Sequence, residues 1–219
     1  MIDKSKYELL ENGSYKSTMW KDPSELYNDN YWDGSNHSTI HGQVPNVIEK
    51  NKLVKAQITN IEPKSVLEIA CAPGILLGEL SNEYKTVGIE VDEKYKNDIQ
   101  SLCGNTELIF GLFPEVTKNI EANSFSNIIA LDVIEHCLDG NAFLKECNRL
   151  LVKNGILIIQ APIILEDGIM DERAFHVYEH IWVYSIAHIT QLLKANGFKV
   201  IDIDRFKPMH EQITAKKYK

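Results

Sequence analysis

Between Ser65 and Ala161 the apolar residues fall in short runs: Ser65 to Ala70, Thr86 to Val91, Glu107 to Phe110, Asn127 to Leu131 and Gly155 to Ala161. The stretches between them read as helices at Leu76 to Glu83, Glu93 to Cys103 and Asn141 to Leu151, the last closed by Gly155 after Lys153 and Asn154. Strands alternating with helices imply a parallel sheet with helices on both faces. A further helix from about Ser185 to Asn196, terminated by Gly197, leads into two alternating segments, Phe198 to Phe206 and Gln212 to Tyr218. Lys207-Pro208-Met209-His210 between them reads as a turn, so the last strand is expected to pair antiparallel. The fold class predicted is α/β, a doubly wound, mostly parallel, seven-stranded sheet with an antiparallel last strand.

Residues 1 to 60 follow a different pattern. Tyr7, Tyr15, Trp20, Tyr27, Tyr31 and Trp32 are set among Asp, Asn, Gly and Ser, which reads as irregular structure with short helices. A stronger helical pattern starts near Val44 and runs to about Asn60, with Val47, Ile48, Val54 and Ile58 along one side. Residues 1–60 are therefore read as an N-terminal helical or irregular lid or acceptor-binding extension, and residues 61–219 as the main domain.

With 219 residues, 44% hydrophobic and 25% charged, the chain can build one enzyme-sized core. No stretch approaches the roughly 18 apolar residues of a membrane span, and Met1-Ile2-Asp3-Lys4-Ser5 lacks a signal-peptide core, so a cytoplasmic protein is expected. Cys71, Cys103, Cys137 and Cys147 form no C-x-x-C pair, which argues against a zinc ribbon or a thioredoxin-type site. A net charge of -8, with no basic run longer than Lys216-Lys217, disfavours nucleic acid as a partner.

The sharpest local feature is Val66 to Gly74, an apolar strand running into the small-residue loop Ala70-Cys71-Ala72-Pro73-Gly74 and then a helix. Small residues let the backbone approach a ligand, and the new helix presents unpaired N–H groups to it. About 20 residues beyond Ala70, the second strand ends in Glu90, where a carboxylate can accept both hydroxyls of a ribose. Together these features point to a nucleoside-bearing cofactor. A nicotinamide dehydrogenase would show a full G-x-G-x-x-G and a second nucleotide-binding half, and neither is present here.

These residues resemble the class I methyltransferases, over roughly Ser65 to Lys219. The family's first motif stands here as Glu68, Ala70, Ala72 and Gly74, with Ala at two positions usually held by Gly. Phe125 to His136, Phe143 to Glu146, Leu150 to Ile159 and Leu192 to Phe198 match later family segments in order. The resemblance implies S-adenosylmethionine as cofactor, held by Glu68, Ala70, Cys71, Ala72, Gly74, Glu90, Val91, Gly111, Leu112, Leu131 and Asp132. Gly111-Leu112-Phe113 stands where the family often has an acidic residue on the adenine, so backbone groups and apolar packing are expected to serve there.

Chemistry is expected at the carboxyl ends of strands four and five, where ligands bind in open α/β sheets. His136 is a candidate general base, or it shapes the cofactor pocket as Glu-His does in many relatives. Asp132 is expected to contact the methionine amine or to orient the loop. Asp132-x-x-Glu135-His136 followed by His176-x-x-Glu179-His180 also resembles the divalent-metal site of small-RNA 2′-O-methyltransferases and the acidic-His motif of ubiquinone-pathway O-methyltransferases. On that resemblance Glu135, His136 and His180 are metal candidates for Mg²⁺, Mn²⁺, Fe²⁺ or Zn²⁺, with a catalytic role for His180; otherwise His180 and Trp182 wall the acceptor pocket. Tyr31, Trp32 and the insertion around Ile169 to Tyr178 are read as walls of the acceptor site, or as sheet caps or a homodimer contact. The function expected is O-methylation of a small polar acceptor such as a sugar, nucleotide-sugar or related metabolite. A metal-dependent RNA 2′-O-methyltransferase and a non-catalytic cofactor-binding scaffold are the alternatives.

Overall fold

Each apolar run forms a strand because its side chains alternate between two buried layers. The computed structural model describes residues 4–22, 44–164, 175, 179–207 and 210–219. In chain order these residues form β1 (Tyr7–Leu9), β2 (Tyr15–Ser17), α1 (Val44–Gln57), β3 (Ser65–Ile69), α2 (Ile75–Leu80), β4 (Lys85–Glu90) and α3 (Lys96–Leu102). There follow β5 (Glu107–Phe110), β6 (Phe125–Leu131), α4 (Gly140–Leu150), β7 (Leu151–Ala161), β8 (Ile163–Ile164), β9 (Trp182–Ser185), α5 (Ile186–Ala195), β10 (Phe198–Lys207) and β11 (His210–Lys217).

In β7, Leu157, Ile159 and Ala161 enter one core layer with Phe143 and Leu144 of α4 and Ile189 and Leu193 of α5. Ile156 and Ile158 enter the other layer, with Val54 of α1, Leu76, Leu77 and Leu80 of α2 and Ile99 of α3. Strand periodicity of two thus places helices on both faces. The large sheet has seven strands in the order β10-β11-β7-β6-β3-β4-β5. β3 to β7 pair in parallel, while β11 runs antiparallel between β7 and β10.

Several boundaries differ from the sequence reading. α4 begins at Gly140, with the Asp139 carboxylate accepting from the N–H groups of Asn141 (2.8 Å) and Ala142 (3.1 Å), and it ends at Leu150. Gly155 does not close it: β7 is already under way, and Asn154 takes the left-handed turn at φ 67°. Gly155 is required instead by close packing, since a Cβ there would lie 2.9 Å from the Val152 carbonyl oxygen and 3.0 Å from that of Ser126. α2 stops at Leu80, whose carbonyl accepts from both Glu83 and Tyr84 at 3.0 Å in a turn. The expected helix from Glu93 to Cys103 divides into a 3-10 turn, Glu93–Tyr95, and α3.

The largest departure lies at the N-terminus. Residues 7–17, expected to be irregular with short helices, form a β-hairpin that joins a second sheet of order β1-β2-β9-β8. Its pairing partner, β9, comes from the far end of the chain, with Tyr15 opposite Val183 and Lys16 opposite Trp182. The hairpin turn is pinned by Ser14 Oγ, which accepts from the Ser185 N–H at 2.8 Å and lies 2.8 Å from His188 Nδ1. The expected wall residues Tyr31 and Trp32 lie outside the described residues, as do His176 and, Phe175 apart, the insertion from Ile169 to Tyr178. Among the described residues no helix is long and apolar enough to cross a membrane.

Candidate active site

From β3 the chain builds outward through β4 to β5 and then returns to the opposite side of β3 as β6. The connections after β3 and β6 therefore part, leaving a crevice at the carboxyl ends of two adjacent strands. Both exits carry a non-glycine residue in the left-handed region, Ala70 at φ 57° and Asp132 at φ 57°. Such backbone costs of order 1–3 kcal/mol and persists where its surroundings over-determine it. Here the Asp132 N–H donates to the Gln160 carbonyl at 2.8 Å, and the neighbouring Cys71 N–H donates to that of Ile89 at 3.0 Å.

The loop after β3 is fixed from beneath. Gly74 has φ 91°, and a Cβ there would lie 2.9 Å from the Cβ of Cys103 and 3.1 Å from the Ile99 side chain on α3. The Cys71 thiol is buried against Gly88, where an added Cβ would come 2.7 Å from Sγ, so the residue serves the loop through its backbone. Burial, reinforced by Glu90 and Glu68, pushes the Cys71 thiol well above its usual range, which makes it a poor nucleophile.

Glu90, buried at the end of β4, joins the two loops. Its Oε1 accepts from the N–H groups of Val91 (2.8 Å) and Asp92 (3.4 Å), and its Oε2 accepts from that of Ala72 at 3.3 Å. Burial raises its pKa, against the lowering effect of those backbone donors. Glu68 is also buried; its Oε2 has no hydrogen-bond partner among the described residues, and burial together with the Glu90 charge holds its pKa well above the usual carboxylate range. Beyond β5, the Gly111 N–H donates to the Glu90 carbonyl at 2.9 Å. Gly111 sits at φ 133°, where a Cβ would lie 2.3 Å from Val116 Cγ1, so no side chain fits. Val91, Leu112 and Leu131 are half-buried beside these turns.

The exit of β6 is assembled from more distant pieces. Asp132 is ion-paired with Lys50 of α1. Ile134–His136 form a 3-10 turn that buries Glu135 at 1% exposure, and neither Glu135 carboxyl oxygen has a hydrogen-bond partner among the described residues. Burial, with the Asp132 charge second, raises the Glu135 pKa well above its usual range, and Lys50 opposes this. His136 Nδ1 lies 2.9 Å from the Glu179 carbonyl oxygen, its Nε2 lies 3.9 Å from Glu135 Oε1, and its ring stands edge-on to His180 at 4.8 Å. Because a carbonyl only accepts, Nδ1 carries a proton in this hydrogen bond, and in a neutral ring the lone pair is on Nε2.

A methyltransferase-domain family matches residues 41–203, about three-quarters of the chain. The chain belongs to the class I S-adenosylmethionine-dependent methyltransferases. The chain is 26% identical over 145 residues to a probable S-adenosylmethionine-dependent methyltransferase of Mycolicibacterium smegmatis, covering 64% of this chain and 53% of the relative. It is 26% identical over 105 residues to a ubiquinone biosynthesis O-methyltransferase of a Caulobacter species, covering 46% of this chain and 42% of the relative. The chain thus spans about half the length of the curated relatives it matches. A Haloferax volcanii methyltransferase, solved in complex with a methyltransferase activator, superposes with a TM-score of 0.72 at 12% identity, covering 87% of this chain and 97% of that one. An O-methyltransferase structure from Nostoc punctiforme gives 0.66 at 18% identity, covering 81% and 59%. At these identities the two structures speak for the fold alone.

The expected cofactor residues lie on β3 or in the turns at the carboxyl ends of β3 to β6, and the structure brings Glu135, His136 and His180 together although 43 residues separate His136 from the Glu179 carbonyl it meets. Sequence reasoning passed over Lys50 and the Glu179 carbonyl. Lys50 had a signal: it stands three residues after Val47 and four before Val54, so a charge interrupts the apolar stripe of α1. The carbonyl had none, because every residue carries one.

Proposed function

We propose that this chain is an active, cytoplasmic methyltransferase that methylates an oxygen of a small polar acceptor, a sugar, nucleotide-sugar or related metabolite, with His136 as general base. The carrying observation is the hydrogen bond between His136 Nδ1 and the Glu179 carbonyl, which in a neutral imidazole puts the proton on Nδ1 and the basic lone pair on Nε2, in the turn after β6. S-adenosylmethionine supplies an electrophilic methyl group with a good leaving group, so the protein's tasks are orientation and exclusion of water.

The residues present fit that cofactor. Glu90 retains lone pairs for ribose hydroxyls beyond its three backbone donors, and Glu68 holds an orphaned buried oxygen next to the loop. The backbone of Ala70, Cys71, Ala72 and Gly74 lets a ligand approach closely, while Val91, Gly111, Leu112 and Leu131 suit a flat apolar base. Asp132 and Lys50 offer opposite charges suited to the ammonium and carboxylate of an amino acid. His136 Nε2 then accepts the proton of the acceptor hydroxyl, a contribution of about 10²–10⁴ in rate. The O-methyltransferase names of several relatives and the net charge of -8 support oxygen of a small molecule over nucleic acid.

A second reading makes His136 a metal ligand. One ligand atom from each of Glu135, His136 and His180 lies within 4.8 Å of the others, and the Glu135 oxygens lack partners. Two imidazoles and a carboxylate suit Zn²⁺, Fe²⁺ or Mn²⁺ better than Mg²⁺. Ligands at about 2.0–2.1 Å from a tetrahedral ion stand roughly 3.3 Å apart, so the three groups would have to draw together. With Nδ1 bonded to Glu179, Nε2 is the atom His136 can offer, and a cation there would remove the base.

Transfer of a labelled methyl group to a panel of small acceptors, with the product resolved by NMR, tests the proposal. Label on oxygen is the expected result; label on nitrogen or carbon, or preferred transfer to RNA, refutes it. Repeating the assay in excess chelator separates the readings: full activity supports the base, and loss restored by Zn²⁺ or Mn²⁺ supports the metal.

A further inference from the structure

On the face of the large sheet that packs against α1, the buried rows turn from apolar to polar towards the carboxyl end of β7. Ile129, Leu131 and Ile158 belong to the layer under α1 and α2, and strand alternation carries Gln160 onto the same face. Gln160 pairs with Leu131 on one side and with Gln212 on the other, and Thr214 stands opposite Ile158. Gln160, Gln212 and Thr214 are buried at 0%, 1% and 0% exposure. Gln160 Nε2 donates to Gln212 Oε1 at 3.0 Å, while Gln160 Oε1, Gln212 Nε2 and Thr214 Oγ1 have no hydrogen-bond partner among the described residues. Turning both carboxamides over reverses the bond and leaves the same balance, one acceptor oxygen and one NH₂ donor.

Buried polar groups without partners cost stability, and they persist where a ligand or ordered water completes them. Apolar side chains like those of Ile156 and Ile158 would fill the same face without that cost. The position is that of a ligand: open α/β sheets bind at carboxyl strand ends, and the Gln160 carbonyl accepts from the Asp132 N–H at 2.8 Å. Neighbouring strands lie about 4.8 Å apart, so Gln160 and Gln212 stand roughly 5 and 10 Å along the sheet from Leu131 of the proposed cofactor wall. A molecule bound beside the cofactor comes within reach of both carboxamides. Neither is charged, so a neutral group suits them better than a carboxylate or phosphate.

We propose that Gln160 and Gln212 are specificity-determining residues that bind two neighbouring hydroxyls of the acceptor, one donating to the orphaned carboxamide oxygen and one accepting from the orphaned NH₂. The group recognised is a neutral vicinal diol, as on a sugar ring. This inference rests on the reading of the acceptor as a small polar molecule, and it makes no use of His136.

The test uses the full chain, labelled with ¹⁵N-glutamine, saturated with S-adenosylhomocysteine and titrated with anhydroerythritol, a ring-borne cis-diol. The diol should move the side-chain amide signals of Gln160 and Gln212 saturably, whereas its dimethyl ether and inorganic phosphate should move neither. Gln160→Met combined with Gln212→Met conserves volume; it should weaken diol binding by about tenfold or more, leave affinity for S-adenosylhomocysteine unchanged and keep Tm at or above the wild-type value. Should the double variant lose its cooperative unfolding transition, Gln212→Met alone gives the same readout, and the wild-type titration needs no variant. Amide signals that the diol leaves unmoved, as when ordered water alone completes the pair, an equal response to the ether or phosphate, or undiminished diol affinity in the variant overturns the proposal. Methyl label on nitrogen alongside diol binding would remove the O-methylation reading and leave this site standing.

Discussion

The loop after β3 and the turn after β6 lie at adjacent strand ends, yet they are secured over very different chain distances. Ala72 is tied to Glu90 across 18 residues, with Gly74 seated on the helix that follows β4. His136 is tied to Glu179 across 43 residues, Asp132 to Lys50 across 82, and the hairpin behind them to His188 across 174. The loop after β3, the proposed cofactor side, is thus a local motif that one supersecondary unit completes. The turn after β6, the proposed acceptor side, is assembled only once Lys50 of α1 and the chain around Glu179 have docked. Damage to the first should appear in cofactor affinity, and damage to the second in turnover.

The largest effect expected from this contrast is at His136. His136→Ala should lower turnover by about 10²-fold or more while leaving cofactor affinity close to that of the wild type. Steady-state rates paired with calorimetry check it, and a parallel loss in both quantities would erase the distinction between the two sides.

Glu90→Ala should do the reverse. Removing a buried carboxylate that accepts charge-assisted hydrogen bonds should cost about 1.5–3 kcal/mol, roughly tenfold or more in cofactor affinity. Calorimetric titration with S-adenosylhomocysteine reads it directly, and unchanged affinity would show that the ribose is held elsewhere.

Gly74→Ala probes the foundation of the loop rather than its ligand groups. A side chain at φ 91°, 2.9 Å from Cys103 Cβ, should destabilise the fold by about 1–3 kcal/mol. At this chain length each kcal/mol lowers Tm by about 2–4 °C. A thermal scan showing no loss would mean that α3 yields to admit the methyl group.

The smallest effect concerns pH at His188, which meets Ser14 of the N-terminal hairpin. Burial holds His188 below its ordinary pKa of 6.5, so the unfolded chain binds more protons there than the folded one. The stability it contributes is complete above 6.5 and is lost as pH falls from 6.5 through the lowered folded value. His188→Gln should flatten that part of a Tm-against-pH profile and leave cofactor affinity unaltered. An equally steep profile in the variant would assign the acid sensitivity to other groups.

The core strands were legible because their residues are apolar on both faces, and the loop after β3 because its small residues, its glycine and a carboxylate about 20 residues later are all close in sequence. Boundaries fared less well where two signals competed: Gly155 looks like a helix stop, but it is required by the close approach of β6 and β7. The hairpin was hidden because Tyr7, Tyr15 and Lys16 have no alternating apolar run around them, and the hydrogen bonds that make β2 a strand are completed by Val183 and Trp182. Lys50 showed only as a charge in an apolar stripe, and its partner Asp132 could not be named without the packing of α1 across the sheet.

By itself the sequence determined the doubly wound sheet and its antiparallel last strand, and it singled out the small-residue loop after β3 and Glu90, since periodicity, loop chemistry and a carboxylate at fixed spacing act over a few tens of residues. Tertiary structure alone decided that His136 Nδ1 meets the Glu179 carbonyl, that Glu135 is buried without a hydrogen-bond partner among the described residues, and that the N-terminal hairpin pairs with β9. Those outcomes depend on backbone carbonyls, ring edges and desolvation. Such groups carry no residue-type signature, and they acquire their chemistry only from what the completed fold sets beside them.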